Sequence, residues 1–305
     1  MSSPHSGLGR ILRSGRFAVT AELVPPRSAD PSGIARQAAG LVGYADAVNV
    51  TDNPSSSAHM SALAGVAALA AAGLEPTLQV TCRDRNRLAL TADLLGGWAL
   101  GARNLLCLSG DPAAVGDHPD AREVFDLTAV ELVRLAVLLR DESRLLSGAE
   151  IEGAPRYLVG VADMPLAEGY DPSRLEAKID AGADFVQTQI VYDVEAFAAW
   201  ADRVRPLGLL DRVAVLAGVV PLRSARQARF MDGLPGVSVP RSLIERLEAA
   251  GPDAAEVGAS VAVEAIAALR AIPGVAGVHL MGLGGDGIAS VVEAAGLLPR
   301  PVLSG

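Results

Sequence analysis

Eight short apolar runs, most of them followed by a longer segment of helical periodicity, divide the sequence between residues 17 and 300. They are FAVTAE (17–22), DAVNVT (46–51), PTLQVT (76–81), NLLCLS (104–109), YLVGVA (157–162), DFVQTQ (184–189), VAVLAG (213–218) and GVHLMG (277–282). Most lack the polar alternation of a strand with one wet face, so they predict strands buried on both faces of a parallel sheet. Helices are predicted near 30–42, 57–72, 85–100, 127–140, 172–181, 194–205, 223–232 and 256–271, with an additional one near 241–250. An open doubly wound sheet usually has fewer strands, and no long linker or composition shift splits the chain. The expected fold is therefore α/β, a single-domain (β/α)8 TIM barrel over residues 17–300, with the 241–250 helix inserted before strand eight. Residues 1–16 are expected to be a flexible lead-in with at most one short helical turn.

Composition narrows the class of partner. The 305 residues carry a formal net charge of -9, and the isoelectric point is near 5.0, which argues against a nucleic-acid groove or an anionic membrane surface. No apolar run reaches the roughly 18–20 residues of a membrane span. The opening MSSPHSGLGRILRSGR is polar and basic without a hydrophobic signal core. The two cysteines, Cys82 and Cys107, sit in or beside apolar strands and read as buried thiols, which favours the cytoplasm over an oxidising compartment. A small-molecule enzyme is the expectation.

In a (β/α)8 barrel the chemistry gathers where strands end and βα loops begin. Those positions carry Glu22, TDNP (51–54), TCRDRN (81–86), SGDP (109–112), VADMP (161–165), QTQ (187–189), GVVP (218–221) and MGLGGDG (281–287). Glu22, in an apolar run that meets a double proline, is the better general-acid candidate. Asp111 follows a glycine that lets backbone approach a ligand. Solvated loop carboxylates are the alternative for both. Gln187 and Gln189, two residues apart, share a strand face; they suit a flat heterocycle or, equally, a buried amide network. TCRDRNR clusters Arg83, Arg85 and Arg87 around Asp84 at a helix start; a phosphate site is one reading, and a solvated helix N-terminus with an internal ion pair is the one preferred from these residues alone. Asp171 and Pro172 read as N-cap and first helical residue of the segment that carries Lys178. GLGGDG (282–287) matches no phosphate-loop spacing and reads as a flexible loop. His5, His59, His118 and His279 show no metal-ligand spacing, and no metal site is expected.

Taken in order, AELVPPR, LCLSGDP, KIDAGADFVQTQIVYD and LAGVVPLRSARQ resemble the methylenetetrahydrofolate reductase family, flavin-dependent barrels of one-carbon metabolism. The likeness covers nearly the whole chain. The stretch from TCRDRNR to DAREVFDLT is similar to a subgroup found in acetogen-type reductases and in proteins fused to a homocysteine methyltransferase.

The resemblance implies reduction of 5,10-methylenetetrahydrofolate to 5-methyltetrahydrofolate, a step towards methionine. It implies a bound flavin, FAD or FMN, and NADH or NADPH as reductant. By position, Glu22 corresponds to the family's catalytic acid and Asp111 to an aspartate near both flavin and folate. Gln189 and Gln227 correspond to glutamines that contact folate or nicotinamide. Thr51, Gln79, Ser109, Gly110, Asp111, Asp126, Ala162, Asp171, Arg174 and Lys178 fall at flavin contacts, with Lys178 and Arg174 towards the phosphates. Several positions depart from the pattern. Gln79 stands where a histidine is common, Ser109 where an arginine precedes Gly-Asp, and Ala162 where a tyrosine meets the flavin. Gly285 takes the place of a folate-binding arginine, and Met231, beside Phe230, that of a stacking phenylalanine. Arg83 or Arg85 is the candidate for the missing positive charge. The readings carried forward are a folate reductase, alone or as a homo-oligomer, and a non-catalytic or electron-relay subunit of a multi-subunit reductase. An unrelated lyase or aldolase barrel is disfavoured because no strand end offers a Schiff-base lysine.

Overall fold

The computed structural model describes residues 5–282 and 284–300. Its eight strands close into one parallel barrel in sequence order: β1 (Ala18–Leu23), β2 (Ala47–Val50), β3 (Pro76–Thr81), β4 (Asn104–Leu108), β5 (Leu158–Asp163), β6 (Phe185–Ile190), β7 (Ala214–Val219) and β8 (Val275–Leu280). The seam is closed by β1 beside β8, with Thr20 opposite His279. The helices are α1 (Gly7–Arg13), α2 (Ser32–Ala39), α3 (Ala62–Ala71), α4 (Arg87–Ala99), α5 (Ala129–Val137), α6 (Pro172–Asp180), α7 (Val194–Val204), the short α8 (Leu209–Arg212), α9 (Ala225–Asp232), α10 (Arg241–Ala250), α11 (Ala254–Arg270) and α12 (Gly285–Ala294).

All eight expected strands are present, and their burial on both faces accounts for the near-continuous apolar runs. One core lies between the sheet and the helices and includes Leu94, Tyr157, Phe197 and Trp200. A second fills the barrel near the strand starts, where Leu106, Leu158, Phe185 and Leu216 meet. Helix starts follow local chemistry: Asn86 caps α4 by accepting from Ala89 N, and Thr128 with Glu131 forms a capping box on α5. The 241–250 helix is present as α10, one of three α-helices between β7 and β8.

Two segments depart from the sequence reading. Within the stretch expected to be a flexible lead-in, α1 is packed into the barrel floor, with Leu8 fully buried and Ile11 and Leu12 beside it against Phe185 and Leu216. Its N-terminus is held by Glu75, which accepts from Gly7 N at 2.6 Å and Leu8 N at 2.9 Å. An anionic carboxylate at unsatisfied helix N–H groups is favourable, and that partner lies 67 residues away, beyond any local pattern. The glycine-rich stretch read as a loop instead opens α12 at Gly285; part of that motif, Leu283, lies outside the described residues.

Candidate active site

β1 delivers Glu22 to the barrel mouth. The alternation of the strand sends Thr20 and Glu22 to the inside and buries Ala21 and Leu23 against the helices. Past Leu23 the chain turns away through Pro25 and Pro26, neither of which can continue a sheet ladder. Glu22 remains half-buried at the lip.

Beside it opens a cavity of about 910 Å³. Among the expected site residues, Glu22, Thr51, Gln79, Arg83, Ser109, Gly110, Asp111, Ala162, Asp171, Arg174 and Lys178 all line it. The barrel thus brings together side chains from five strand ends and from α6. Gly110 makes the turn after β4 at φ +94, where an added Cβ would stand 3.0 Å from Thr81 Cβ; both the backbone sign and the space call for glycine, and the turn puts Asp111 at the rim.

Three expected residues do not line this cavity. Asp126 accepts from Arg87 N, Nε and Nη2, each at 2.8 Å, and so helps cap α4; those bonds hold its carboxyl well below the usual carboxylate range. Gln189 sits at an irregularity in the β6–β7 pairing. Its Nε2 donates to the Pro235 carbonyl at 3.2 Å and its Oε1 accepts from Ile190 N at 3.0 Å. Gln227, in the first turn of α9, accepts from Arg223 N at 2.7 Å. Gln187 takes the other of its two roles: it is buried inside the barrel in a reciprocal amide pair with Asn49, at 2.7 and 3.2 Å.

The arginine cluster resolves into internal pairs. Arg83 is buried, with Nε and Nη2 donating to Asp84 at 2.7 and 2.8 Å and Nη1 donating to the Asp111 carbonyl at 3.1 Å. It braces the Asp111 loop instead of presenting a free charge. Arg85 turns to Asp52 and Asp93. Two further cations reach the cavity from α6, where Arg174 is exposed and Lys178 is half-buried. Asp171 accepts from Ser173 N at 3.0 Å and is spent on capping that helix.

The fit of a phosphorylated, ring-bearing cofactor rests on Thr51. Its Oγ1 is buried on the cavity wall with no hydrogen-bond partner, a state that buried hydroxyls avoid unless something else meets them. With Gln79 and Ser109 as further neutral donors and acceptors and Lys178 and Arg174 as cations, the residues fit such a group. Both cysteines are buried thiols, Cys107 against the cavity, and burial pushes Cys82 up to about 11; neither is a nucleophile.

Three residues emerge from the structure that the sequence reading left without a role. Asp163 and Tyr170 line the cavity and are joined by a hydrogen bond of 2.8 Å from the tyrosine hydroxyl. His279 lies under Glu22, its Nε2 3.9 Å from Oε2. The strand-end rule pointed to Asp163 through VADMP, but His279 sits one residue before the end of β8 and carries no such mark.

Comparison with known proteins agrees with the barrel. A family model described as methylenetetrahydrofolate reductase matches residues 8–296. Methylenetetrahydrofolate reductase 2 of Schizosaccharomyces pombe is 33% identical over 183 residues, 58% of this chain and 28% of that protein. The 5,10-methylenetetrahydrofolate reductase of Pectobacterium carotovorum is 28% identical over 197 residues, 64% of this chain and 60% of that protein. The matches therefore span between about a quarter and three fifths of the relatives' length. Among solved structures, a ligand-free tryptophan synthase chain from M. tuberculosis superposes with a TM-score of 0.51 at 16% identity, covering 95% of this chain and 98% of that one; this likeness is one of fold alone. With a parallel barrel, an acid at the end of its first strand and a family match from its first helix to its last, the chain belongs to the methylenetetrahydrofolate reductase family.

Proposed function

We propose that this chain reduces 5,10-methylenetetrahydrofolate to 5-methyltetrahydrofolate in the cytoplasm, supplying methyl groups for methionine. The observation that carries the reading is Glu22, half-buried at the barrel lip beside a cavity lined by strand ends. The bridging methylene becomes a good hydride acceptor only when its ring opens to an iminium ion, which requires a proton on the departing nitrogen. Glu22 donates that proton as general acid. Asp111, exposed at the rim, faces the cation that forms. Lys178 and Arg174 would hold the phosphates of a bound cofactor, and Thr51 and Gln79 would offer hydrogen bonds to its ring. Gln189 and Gln227, outside the cavity wall, are assigned to the folate side. A flavin, FAD or the smaller FMN, reduced by NADH or NADPH, would supply the hydride when bound.

The test is a visible spectrum of the purified protein. A flavin band that NADH or NADPH bleaches and methylenetetrahydrofolate restores is the expected result. Glu22→Gln should bleach normally and not recover with folate; recovery at the wild-type rate would refute the acid assignment. A colourless protein that oxidises a nicotinamide cofactor only when folate is present would instead put that cofactor in the cavity itself. A colourless protein active only with a partner would favour the electron-relay reading.

A further inference from the structure

Beneath Glu22 a line of buried polar groups crosses the barrel. Thr20, Gln187 and His279 are all nine-tenths or more buried, in a part of the molecule otherwise packed with apolar side chains. Such groups are retained where they are bonded, and here Gln187 Nε2 donates to Thr20 Oγ1 at 3.3 Å and to Asn49 Oδ1 at 3.2 Å, while Thr20 Oγ1 lies 3.4 Å from the Val278 carbonyl. His279 Nδ1 lies 2.9 Å from Thr20 Oγ1 and 3.4 Å from Gln187 Nε2. Asn49 closes the far side of Gln187. When Thr20 Oγ1, which accepts from Gln187 Nε2, donates its own proton to Nδ1, the ring proton sits on Nε2. That N–H is the atom nearest Glu22, at 3.9 Å from Oε2. The separation is longer than a hydrogen bond, and catalytic contacts commonly tighten once substrate is bound.

We propose that His279 is a positioning residue for Glu22: its Nε2–H receives the carboxylate each time Glu22 has given up its proton. The inference rests on the proposed reductase activity. The proton moves from Glu22 to the departing folate nitrogen, the C–N bond breaks with its electron pair staying on that nitrogen, and His279 keeps its own proton throughout. Water later reprotonates Glu22. The Thr20–Gln187–Asn49 chain holds the imidazole in one tautomer and one orientation, so the carboxylate returns to the same place in each cycle.

Two isosteric changes separate this role from packing. His279→Asn keeps a polar group at the Nδ1 position, facing Thr20, and loses the arm towards Glu22. His279→Gln keeps an N–H near the Nε2 position. With the protein as purified, methylenetetrahydrofolate as substrate and NADH or NADPH as reductant, His279→Asn should lower kcat about 10- to 100-fold with KM for folate changed less than about threefold, and His279→Gln should stay within about fivefold of wild type. Equal losses in both variants, or wild-type turnover in His279→Asn while Glu22→Gln is inactive, would overturn the role and leave the functional reading standing. An active Glu22→Gln would overturn both. Melting temperatures are recorded in parallel; if the Asn variant melts early, the Gln variant decides, near-wild-type turnover upholding the role and a loss beyond about tenfold overturning it.

Discussion

The Lys178 ammonium donates to the Ala162 carbonyl at 2.6 Å and stands 3.8 Å from Asp163 Oδ1, on one wall of the cavity. Burial pushes the lysine down and the aspartate up from their ordinary values, in each case against the attraction of the partner. Desolvation thus outweighs pairing at this wall, and an arriving phosphate would add a second counter-charge to the one Asp163 supplies.

Lys178→Met should therefore weaken the cofactor by about tenfold or more, since a charged hydrogen bond to phosphate is removed. The measurement is a titration with FAD and with NADH. In the wild type, affinity should fall as pH climbs towards the depressed lysine value, below 10.5, because the charge that binds phosphate is then lost.

Asp84 is held below its ordinary value chiefly by its hydrogen bonds from Arg83. A depressed carboxylate contributes stability that is complete above the unfolded value of 3.8 and is lost as pH falls through the folded value. Asp84→Asn should flatten the acid limb of a plot of Tm against pH below about 4 and leave the neutral limb nearly parallel to wild type. An unchanged acid limb would mean that other carboxylates dominate there.

Leu8 is fully buried in the barrel floor. If α1 is part of the cooperative unit, Leu8→Ala should cost about 2–5 kcal/mol, from lost transfer energy and the cavity left behind. Urea unfolding measures this, and a cost within the error of the extrapolation would place α1 outside that unit.

A Cβ added at Gly160 would fall 2.2 Å from Phe185 Cζ, in the inner layer of the barrel. Gly160→Ala should destabilise by about 1–3 kcal/mol through overpacking. Combining it with Phe185→Leu should recover part of the loss, a coupling that two independent sites would not show.

The site was legible wherever one local rule was enough. Glu22 and Asp111 stand at strand ends, and Asp171 caps α6 as its Asp-Pro start implies. The Arg83–Asp84 pair is the internal ion pair read from the sequence, whereas the partners of Arg85 were not legible, because a guanidinium pairs with whichever carboxylate the fold brings near, here the more distant Asp52 and Asp93. Asp126 was similarly claimed by Arg87, 39 residues away. The helix α12 was hidden by glycines, which are poor helix formers, at its start.

By itself the sequence determined the eight-stranded parallel barrel, because burial on both strand faces and the strand–helix rhythm are written in consecutive residues. Only the tertiary structure decided that α1 plugs the floor, that Gln187 serves the barrel interior, and that His279 of the last strand lies under Glu22 of the first. Closure of the barrel makes β1 and β8 neighbours, so residues 257 positions apart come within 3.9 Å, and no periodicity along the chain encodes a contact of that range.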